Sequence, residues 1–450
     1  MSVALPVTVL HQPLCWPGTT PSPGFPLGCP PYHRRSPGPP ARGRWAGKEP
    51  ARRQPGHVRR LSYGASKLGR VQDIAHGNVK NAPRPYPWPE ASATGIGSMP
   101  GTDPAEAMRI IAGELPTFSY LPELPARGPG ADLTGRTAAL LVDMPVETTP
   151  RGWRLAERPG RDMRAARSML SADLDALEEI MAGYSGPLKI SICGPWTLAA
   201  TIELPRRLDA ILADGGAVAE LAASLAEGAA AHAAEVARRV PGATLVLQAD
   251  EPSLPAVAAG QVPTASGLRR LPAVETSVLA QRLATVLSAT GRYTVVHCCA
   301  APVPFGVIRA AGADAAAFDL SLLRRGDEDP AAEAADAGLG LLAGAIGSPA
   351  SAGAPLTGGP AGAGAAVPGA VRLPGAAGAA PSSRATAERV VRFWRHLGMP
   401  PGRCAEQVVI TPACGLAGTS PGTAKQTLAH CREAARIVPE LAGETEGAQQ

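Results

Sequence analysis

The sequence contains few aromatic residues: Phe, Trp and Tyr together make up 4% of its 450 residues. Proteins that bind single-stranded nucleic acid stack bases on aromatic side chains, and those that bind duplexes present a basic face. The net charge of +5 supplies no such face, because residues 1–90 hold 13 of the 43 Lys and Arg but only 3 of the 38 Asp and Glu. The rest of the chain is slightly acidic, so we expect no nucleic-acid partner.

Long apolar runs and regularly spaced cysteines are also missing. No stretch of about 18 apolar residues is free of charges and helix breakers, so we expect no membrane-spanning helix. Eight irregularly spaced cysteines are too few for the disulfide framework of a small secreted domain. The apolar N-terminal stretch lacks a preceding basic segment and is interrupted by proline, unlike a secretory signal. These features together favour a reducing, cytoplasmic setting.

Glycine and proline, in contrast, are abundant and concentrated in two segments. Residues 1–90 are rich in Pro, Gly and Arg, which predicts a disordered extension; a start codon assigned too far upstream is the alternative. Residues 347–383 are Gly/Ala/Pro-rich and predict a low-complexity loop. A folded domain is therefore expected over 91–440, interrupted by that loop and followed by a tail at 441–450.

Within this domain, short apolar runs alternate with stretches of helical period, as in βα units. Clear helices are predicted at 162–182, 217–239, 276–290 and 385–397. Eight strands are predicted, at 93–99, 117–124, 188–194, 244–250, 293–299, 315–321, 340–346 and 407–414. Eight strands with helical crossovers predict an α/β fold of the (β/α)8 TIM-barrel type, although a long insertion separates the second strand from the third.

The predicted fifth strand, "YTVVHCC", ends in a histidine and two cysteines. Side chains two apart in a strand share a face, so His297 and Cys299 point together and Cys298 points away. Asp319 and Cys414 end the sixth and eighth strands, at the rim where barrel active sites collect. One imidazole, two thiolates and a carboxylate suit zinc. A small buried cysteine at 414 and a helix-capping aspartate at 319 are the ordinary alternatives.

Two further segments end at the same predicted rim. Alternation in "LQADEP" sends Gln248 and Asp250 inward and Glu251 aside, so Asp250 is the better candidate to hold a substrate ammonium group. A carboxylate that caps the next helix is the alternative. The turn "GIGSMPG" offers backbone N–H groups at its glycines and the hydroxyl of Ser98 to a carboxylate, although most Gly-Ser turns are only turns.

Taken in their order along the chain, the motifs resemble those of a known family, the C-terminal catalytic barrel of cobalamin-independent methionine synthase. The segments that carry the resemblance are "IGSMP" (96–100), "CGPWTL" (193–198), "LQADEP" (247–252), "HCC" (297–299), "ADAAAFD" (313–319) and "PACGL" (412–416). It spans residues 93–438 apart from the low-complexity segment, and is greater for the short, single-barrel branch. The wider superfamily includes uroporphyrinogen decarboxylase.

The resemblance implies a site for zinc and a thiol. Zinc would be held by His297, Cys299, Cys414 and, where the family has a glutamate, Asp319. The amino-acid end of homocysteine would be bound by Ile96, Gly97, Ser98, Gln248 and Asp250, with Asp250 as the catalytic residue and Glu123 or Glu147 as a second carboxylate.

The methyl donor is left open between two classes. The family has a histidine proton donor after the seventh strand, where this sequence has Gly347, and its longer enzymes use an additional N-terminal barrel to bind a folate polyglutamate. Residues 1–90 do not resemble that barrel. Both departures favour a methyl-corrinoid or another methylated carrier over a folate donor.

The expected function is therefore a zinc-dependent methyltransferase similar to 5-methyltetrahydropteroyltriglutamate-homocysteine S-methyltransferase, which acts in methionine biosynthesis. One alternative is a zinc-free barrel of the decarboxylase or carrier-methyltransferase type. The other is a catalytically degenerate barrel that binds a thiol or zinc without turnover.

Overall fold

The computed structural model describes residues 85–205, 207–347 and 381–443. Most of the predicted extension, most of the predicted low-complexity loop and residues 444–450 lie outside the described residues, so their predicted disorder stays a prediction. The predicted segment limits shift slightly at three places. Residues 85–90 belong to the described fold, Ser383 already begins a helix, and residues 441–443 complete the last helix.

Ten β-strands occur within these described ranges. They are β1 (Ser119–Tyr120), β2 (Val146–Thr149), β3 (Gly152–Leu155), β4 (Pro187–Cys193), β5 (Ile202–Glu203), β6 (Thr244–Asp250), β7 (Tyr293–Cys298), β8 (Ala315–Asp319), β9 (Gly340–Ile346) and β10 (Val408–Pro412).

Twelve α-helices occur in the same ranges, and the four helices predicted from periodicity are confirmed to within two residues. The helices are α1 (Pro104–Glu114), α2 (Leu133–Ala138), α3 (Arg161–Ile180), α4 (Pro195–Thr201), α5 (Gly215–Arg239), α6 (Leu254–Ala258), α7 (Thr276–Ala289), α8 (Phe305–Ala310), α9 (Glu328–Asp336), α10 (Ser383–His396), α11 (Cys404–Gln407) and α12 (Pro421–Gly443). Side-chain caps mark several starts, for example Asp103 at α1 and Asp214 at α5. None of the described helices combines the length and the apolar content of a membrane span.

Seven strands form one parallel sheet in the order β1, β4, β6, β7, β8, β9, β10. Helices connect successive strands, which is the α/β pattern that the sequence predicts. The sheet is curled: Ala93 forms a parallel bridge with Ile410 of β10, and Ser98, five residues later, bridges Glu123, three residues beyond β1. The register places Asp250 beside His297 and Asp319 beside Gly344.

The predicted regular strands at 93–99 and 117–124 are wrong in part. Residues 93–99 form isolated bridges, so no eighth regular strand closes the sheet within the described residues. A Cβ at Gly95 would lie 2.3 Å from the ring of Tyr120, so a residue without a side chain is needed where the ring covers the backbone. In the second segment only Ser119–Tyr120 is regular, because Pro122 has no N–H group for a ladder.

A small second sheet joins two strands of the long insertion after β1 to β5, which follows α4. It contains β2, β3 and β5; β2 pairs with β3 in antiparallel fashion, and β3 pairs with β5 in parallel. This insertion also contributes α2 and α3, which pack against the main domain. The insertion therefore forms part of the domain core.

Alternation along the strands divides the core into two layers. Val246, Val295, Ala317, Leu342 and Val409 fill the interior of the curled sheet. Their neighbours on the opposite face, such as Val296 and Phe318, pack against the helices. His297, two residues after Val295, therefore projects into the interior.

Trp88 closes the N-terminal end of this interior. Its ring stacks on Phe118 with centroids 5.7 Å apart and meets Tyr293 edge-on at 5.2 Å, and its Nε1 donates to the carbonyl of Glu406 at 3.0 Å. A Cβ at Gly340 would lie 2.9 Å from the same ring. Trp88 falls within the predicted disordered extension, and it is only 5% exposed.

We predict that Trp88→Ala lowers the free energy of unfolding by about 3 kcal/mol or more, because it empties a ring-sized volume at the base of the core. Tyr86→Phe, which loses one hydrogen bond to Gly338 but keeps the ring stacked on Trp88, should cost about 1 kcal/mol. Urea unfolding followed by circular dichroism measures both. Equal losses in the two variants would show that the base of the core does not depend on Trp88.

His232 lies on the buried face of α5, and its Nε2 has no hydrogen-bond partner. Burial, reinforced by the positive charge of Arg136, lowers the pKa of His232 from 6.5 to about 3. In the unfolded chain His232 is therefore protonated below pH 6.5, whereas in the folded chain it stays neutral down to about pH 3. Stability is lost as the pH falls through this window.

We predict that His232→Leu reduces the acid sensitivity of the fold. Between pH 7 and pH 5 the wild type should lose about 2 kcal/mol more stability than this variant. His396→Leu, at an exposed histidine, is the control and should behave like the wild type. Urea unfolding at the two pH values gives the comparison, and an unchanged pH response in His232→Leu would contradict the prediction.

Candidate functional site

The carboxyl ends of four strands place the predicted chemistry along one edge of the curled sheet. Asp250 ends β6, His297 lies one residue before the end of β7, Asp319 ends β8, and Cys414 follows β10 by two residues. This edge is where active sites form in parallel α/β folds. We call it the rim.

Asp250 and His297 form a hydrogen-bonded pair at the rim. His297 Nδ1 lies 2.6 Å from Asp250 Oδ1, and the two residues are 3% and 6% exposed. Burial alone lowers the pKa of His297, but the hydrogen bond and negative charge of Asp250 outweigh it, so the net shift is upward. Asp250 Oδ1 can accept a proton donated by Nδ1, whereas Nε2 is buried without a hydrogen-bond partner.

Cys299 and Cys414 form a thiol pair, and Cys298 stands apart from it. Their mutual interaction, together with the charge of His297, lowers the pKa of Cys414, whereas the same interaction and burial raise the pKa of Cys299. Both residues are partly exposed. Cys298 is fully buried on the other face, and burial raises the pKa of its thiol to about 12. The chain therefore holds one reactive thiol pair and one inert neighbour.

Asp319 does not share this cluster's hydrogen bonds. Its Oδ1 accepts from the backbone N–H of Ser321 at 2.8 Å and from the Ser321 hydroxyl at 2.6 Å. The carboxylate thus caps the turn that follows β8, which is close to the capping alternative for this residue.

The segment Ile96–Ser98 crosses the interior beside the rim and packs against the turn after β10. A Cβ at Gly415 would lie 2.0 Å from Ser98 Oγ, and the N–H of Leu416 donates to the carbonyl of Ser98 at 2.8 Å. Residue 415 must therefore be a glycine for the two turns to approach this closely.

Interior donors converge on the Ile96 carbonyl. Lys189 Nζ donates to it at 2.6 Å and Gln248 Nε2 at 2.8 Å, and the same Gln248 nitrogen lies 2.7 Å from Asp250 Oδ1. The opposite amide oxygen of Gln248 is buried without a donor. Gln248 thus links the Ile96 turn to the Asp250–His297 pair.

Glu123 is a second buried carboxylate near Asp250. Its side chain lies 3.7 Å from Arg136 Nη1, and its Oε1 has no hydrogen-bond partner. Burial raises the pKa of Glu123 to about 7 although Arg136 opposes the shift. Glu147, the other predicted carboxylate, instead pairs with Arg154 on the small second sheet.

The helix-capping role considered for Asp250 belongs to its neighbour. Glu251 is fully buried, and its carboxylate accepts from the N–H groups of Trp196 and Thr197 at the start of α4. Burial raises the pKa of Glu251 to about 7. Trp196 packs among the helices with its Nε1 on the carbonyl of Leu279, so it does not form the floor of the interior.

Sequence reasoning missed Lys189 and Arg136. Lys189 had a detectable signal, since a lysine inside the apolar strand "LKISIC" needs a buried partner. Arg136 lies in α2 within the insertion, where no pattern distinguishes it from a surface arginine.

The fit to zinc is partial. Across the described residues, no group of three or more His, Cys, Asp and Glu side chains lies in a metal-ligating arrangement. The unpartnered Nε2 of His297 and the Cys299–Cys414 thiol pair nevertheless offer the nitrogen and sulfur donors that zinc prefers. Asp319 offers no free carboxylate oxygen pair while it holds Ser321. Three of the four predicted ligands therefore have the donor types that zinc prefers, but the described residues do not bring them into a ligating arrangement.

Comparison with known proteins gives little further guidance. No family model matches the chain, and no curated protein matches it significantly. Among solved structures, the chain is similar to a B12-independent methionine synthase from Shewanella sp. W3-18-1 in complex with selenomethionine. The two share 11% identity over 78% of this chain and 98% of that chain, with a TM-score of 0.47. A similarity at that score does not indicate the function, for which the site is the only guide.

We predict that Gly415→Ala destabilises the protein by about 1 to 3 kcal/mol, because the new methyl group displaces the Ser98 hydroxyl. In a Ser98→Ala background the same change should cost clearly less, since the nearest atom is gone. A double-mutant cycle of thermal unfolding measures the difference. Additive effects would show that the two turns are not in contact.

Proposed function

We propose that this protein is a zinc-dependent S-methyltransferase of the methionine synthase type, which methylates homocysteine to give methionine. The observation that carries the proposal is the buried, unpartnered Nε2 of His297 at the same rim as Cys299 and Cys414. We further propose that residues 93–99 serve as the eighth member of a TIM-type barrel.

His297 Nε2, Cys299 and Cys414 would hold the zinc ion, and Asp319 would take the fourth position once it releases Ser321. A zinc ion in such a site binds a thiol as its thiolate and so supplies a nucleophilic sulfur at neutral pH. Asp250, predicted as the catalytic residue, acts here as a positioning residue: it fixes the His297 tautomer and ring orientation.

The substrate's ammonium group would meet acceptors that the protein leaves free. Glu123 Oε1 and Gln248 Oε1 are both buried without a hydrogen-bond partner, although Arg136 lies 3.7 Å from Glu123 Oε1, and such atoms are costly unless a ligand or water satisfies them. The Ile96 carbonyl already accepts from Lys189 and Gln248, so its part is indirect. Gly97 and Ser98 remain the proposed contacts for the substrate carboxylate.

For the methyl donor we propose a methyl-corrinoid in preference to a methylfolate. Gly347, directly after β9, is exposed and has no side chain that could pass a proton to a folate nitrogen. All six cysteines in the described part of the chain are free thiols, in keeping with our proposal that the reaction takes place in the reducing cytoplasm.

The first test is metal content of the full chain by mass spectrometry. We predict about one zinc per wild-type chain, most of it lost in His297→Ala and Cys414→Ser because each removes a donor. Cys298→Ser is the matched control and should keep its zinc, since that thiol faces the helices. Asp319→Asn should lose less zinc than Cys414→Ser, because Asp319 is engaged with Ser321.

The second stage adds homocysteine and follows proton release, then turnover with methylcobalamin or methyltetrahydrofolate. Proton release that requires His297, followed by methionine formation, supports the proposal. A folded, zinc-free protein refutes it and favours the decarboxylase-type alternative. Zinc and thiol binding without turnover with either donor refutes the transferase activity and favours the degenerate binding barrel.

A further inference from the structure

Lys189 is a fully buried lysine in the middle of β4, inside the curled sheet. Its ammonium group donates to the Ile96 carbonyl at 2.6 Å and lies 5.2 Å from the centroid of the Tyr120 ring. Removing such a cation from water is costly, and a protein retains it only where its contacts compensate. The contacts of Lys189 therefore indicate what it does.

The segment held by Lys189 is the part of the sheet with the fewest backbone bonds. Residues 93–99 form isolated bridges instead of a ladder: backbone hydrogen bonds hold Thr94 and residues 97–99, whereas side chains hold the Ile96 carbonyl between them. The Ile96 carbonyl accepts hydrogen bonds from Lys189, from Gln248 and, at 3.5 Å, from the Ser191 hydroxyl. The Tyr120 ring covers Gly95 from another side.

Backbone hydrogen bonds connect the segment that contains Ile96 to Glu123, the proposed substrate-binding carboxylate. The N–H of Glu123 donates to the Gly97 carbonyl at 3.2 Å, and the N–H of Met99 donates back to the Glu123 carbonyl at 2.8 Å. A shift of Ile96 would therefore move Glu123 and Ser98 together. None of His297, Cys299 and Cys414 is a partner in these two bonds, although Gln248 and Leu416 link the segment to residues beside them.

We propose that Lys189 is a positioning residue for an amino-acid thiol: it clamps the Ile96 carbonyl and thereby places Ser98 and Glu123 for the two charged ends of the substrate. The substrate role rests on the proposed function, whereas the clamp itself does not. Zinc retention is independent of Lys189 in this scheme.

The clamp is tested by amide hydrogen exchange on the full chain. Lys189→Met keeps the length of the side chain but removes the ammonium group, and Lys425→Met, at an exposed lysine on α12, is the matched control. The amides of Met99 and Glu123 should exchange faster in Lys189→Met only. The Glu251 amide, bonded to the His297 carbonyl at 2.7 Å, should not change and serves as the internal reference.

The substrate role is tested by calorimetric titration with two thiols and by the zinc content of each variant. Lys189→Met should bind homocysteine about tenfold or more weakly than the wild type does. Its affinity for 4-sulfanylbutanoate, which lacks the ammonium group, should fall much less. Zinc content should stay at the wild-type value. In turnover, the KM for homocysteine should rise more than kcat falls.

Three results would overturn the inference. Unchanged exchange at Met99 and Glu123 would show that Lys189 does not clamp the segment. Faster exchange with equal losses for both thiols and for zinc would show a purely structural role. A wild-type protein that binds neither thiol would refute the proposed function and the substrate role together, and the exchange measurement alone would still decide the clamp.

Discussion

The hydrogen bond between Asp250 and His297 is the interaction on which the rim depends. The two residues are direct partners in the register of β6 and β7, so the backbone pairing itself brings them within bonding distance. The bond fixes the imidazole ring and leaves its Nε2 buried without a hydrogen-bond partner. Without it, a buried imidazole would be neutral with either tautomer available, and a neighbouring carboxylate would lack its donor.

A balanced set of buried charges supports this pair from below. Lys189 and Arg136 face Glu123 and Asp250 in a region closed to water, and each cation also anchors backbone: Lys189 at Ile96 and Arg136 at the Ser191 carbonyl. Loss of one member would leave an uncompensated charge, which costs more than the pair itself contributes. The buried charges of the interior are therefore mutually dependent.

The sequence predicts the elements that follow a simple period. Strands such as 244–250 and 340–346 and helices such as α5 have the predicted bounds within two residues, because apolar alternation and caps are local signals. The strand at 93–99 is predicted wrongly because its position comes from distant side chains, Tyr120 and Lys189 among them. Trp88 was assigned to the extension for a related reason. The composition of the residues around it resembles that of the segment before them, whereas its contacts with Phe118 and Glu406 lie 30 and 318 positions away.

For the site, strand phase places His297 and Asp250 on the interior face, where the structure has them. Phase carries no information on rotamers, and so the hydrogen bonds of Asp319 to Ser321 and of Glu251 to α4 could not be foreseen. The ring of Trp88 has a kinetic consequence as well. Because Trp88 closes the base of the interior, the proposed thiol and methyl carrier would both enter at the rim, and the small thiol would have to bind before a bulky carrier covers it.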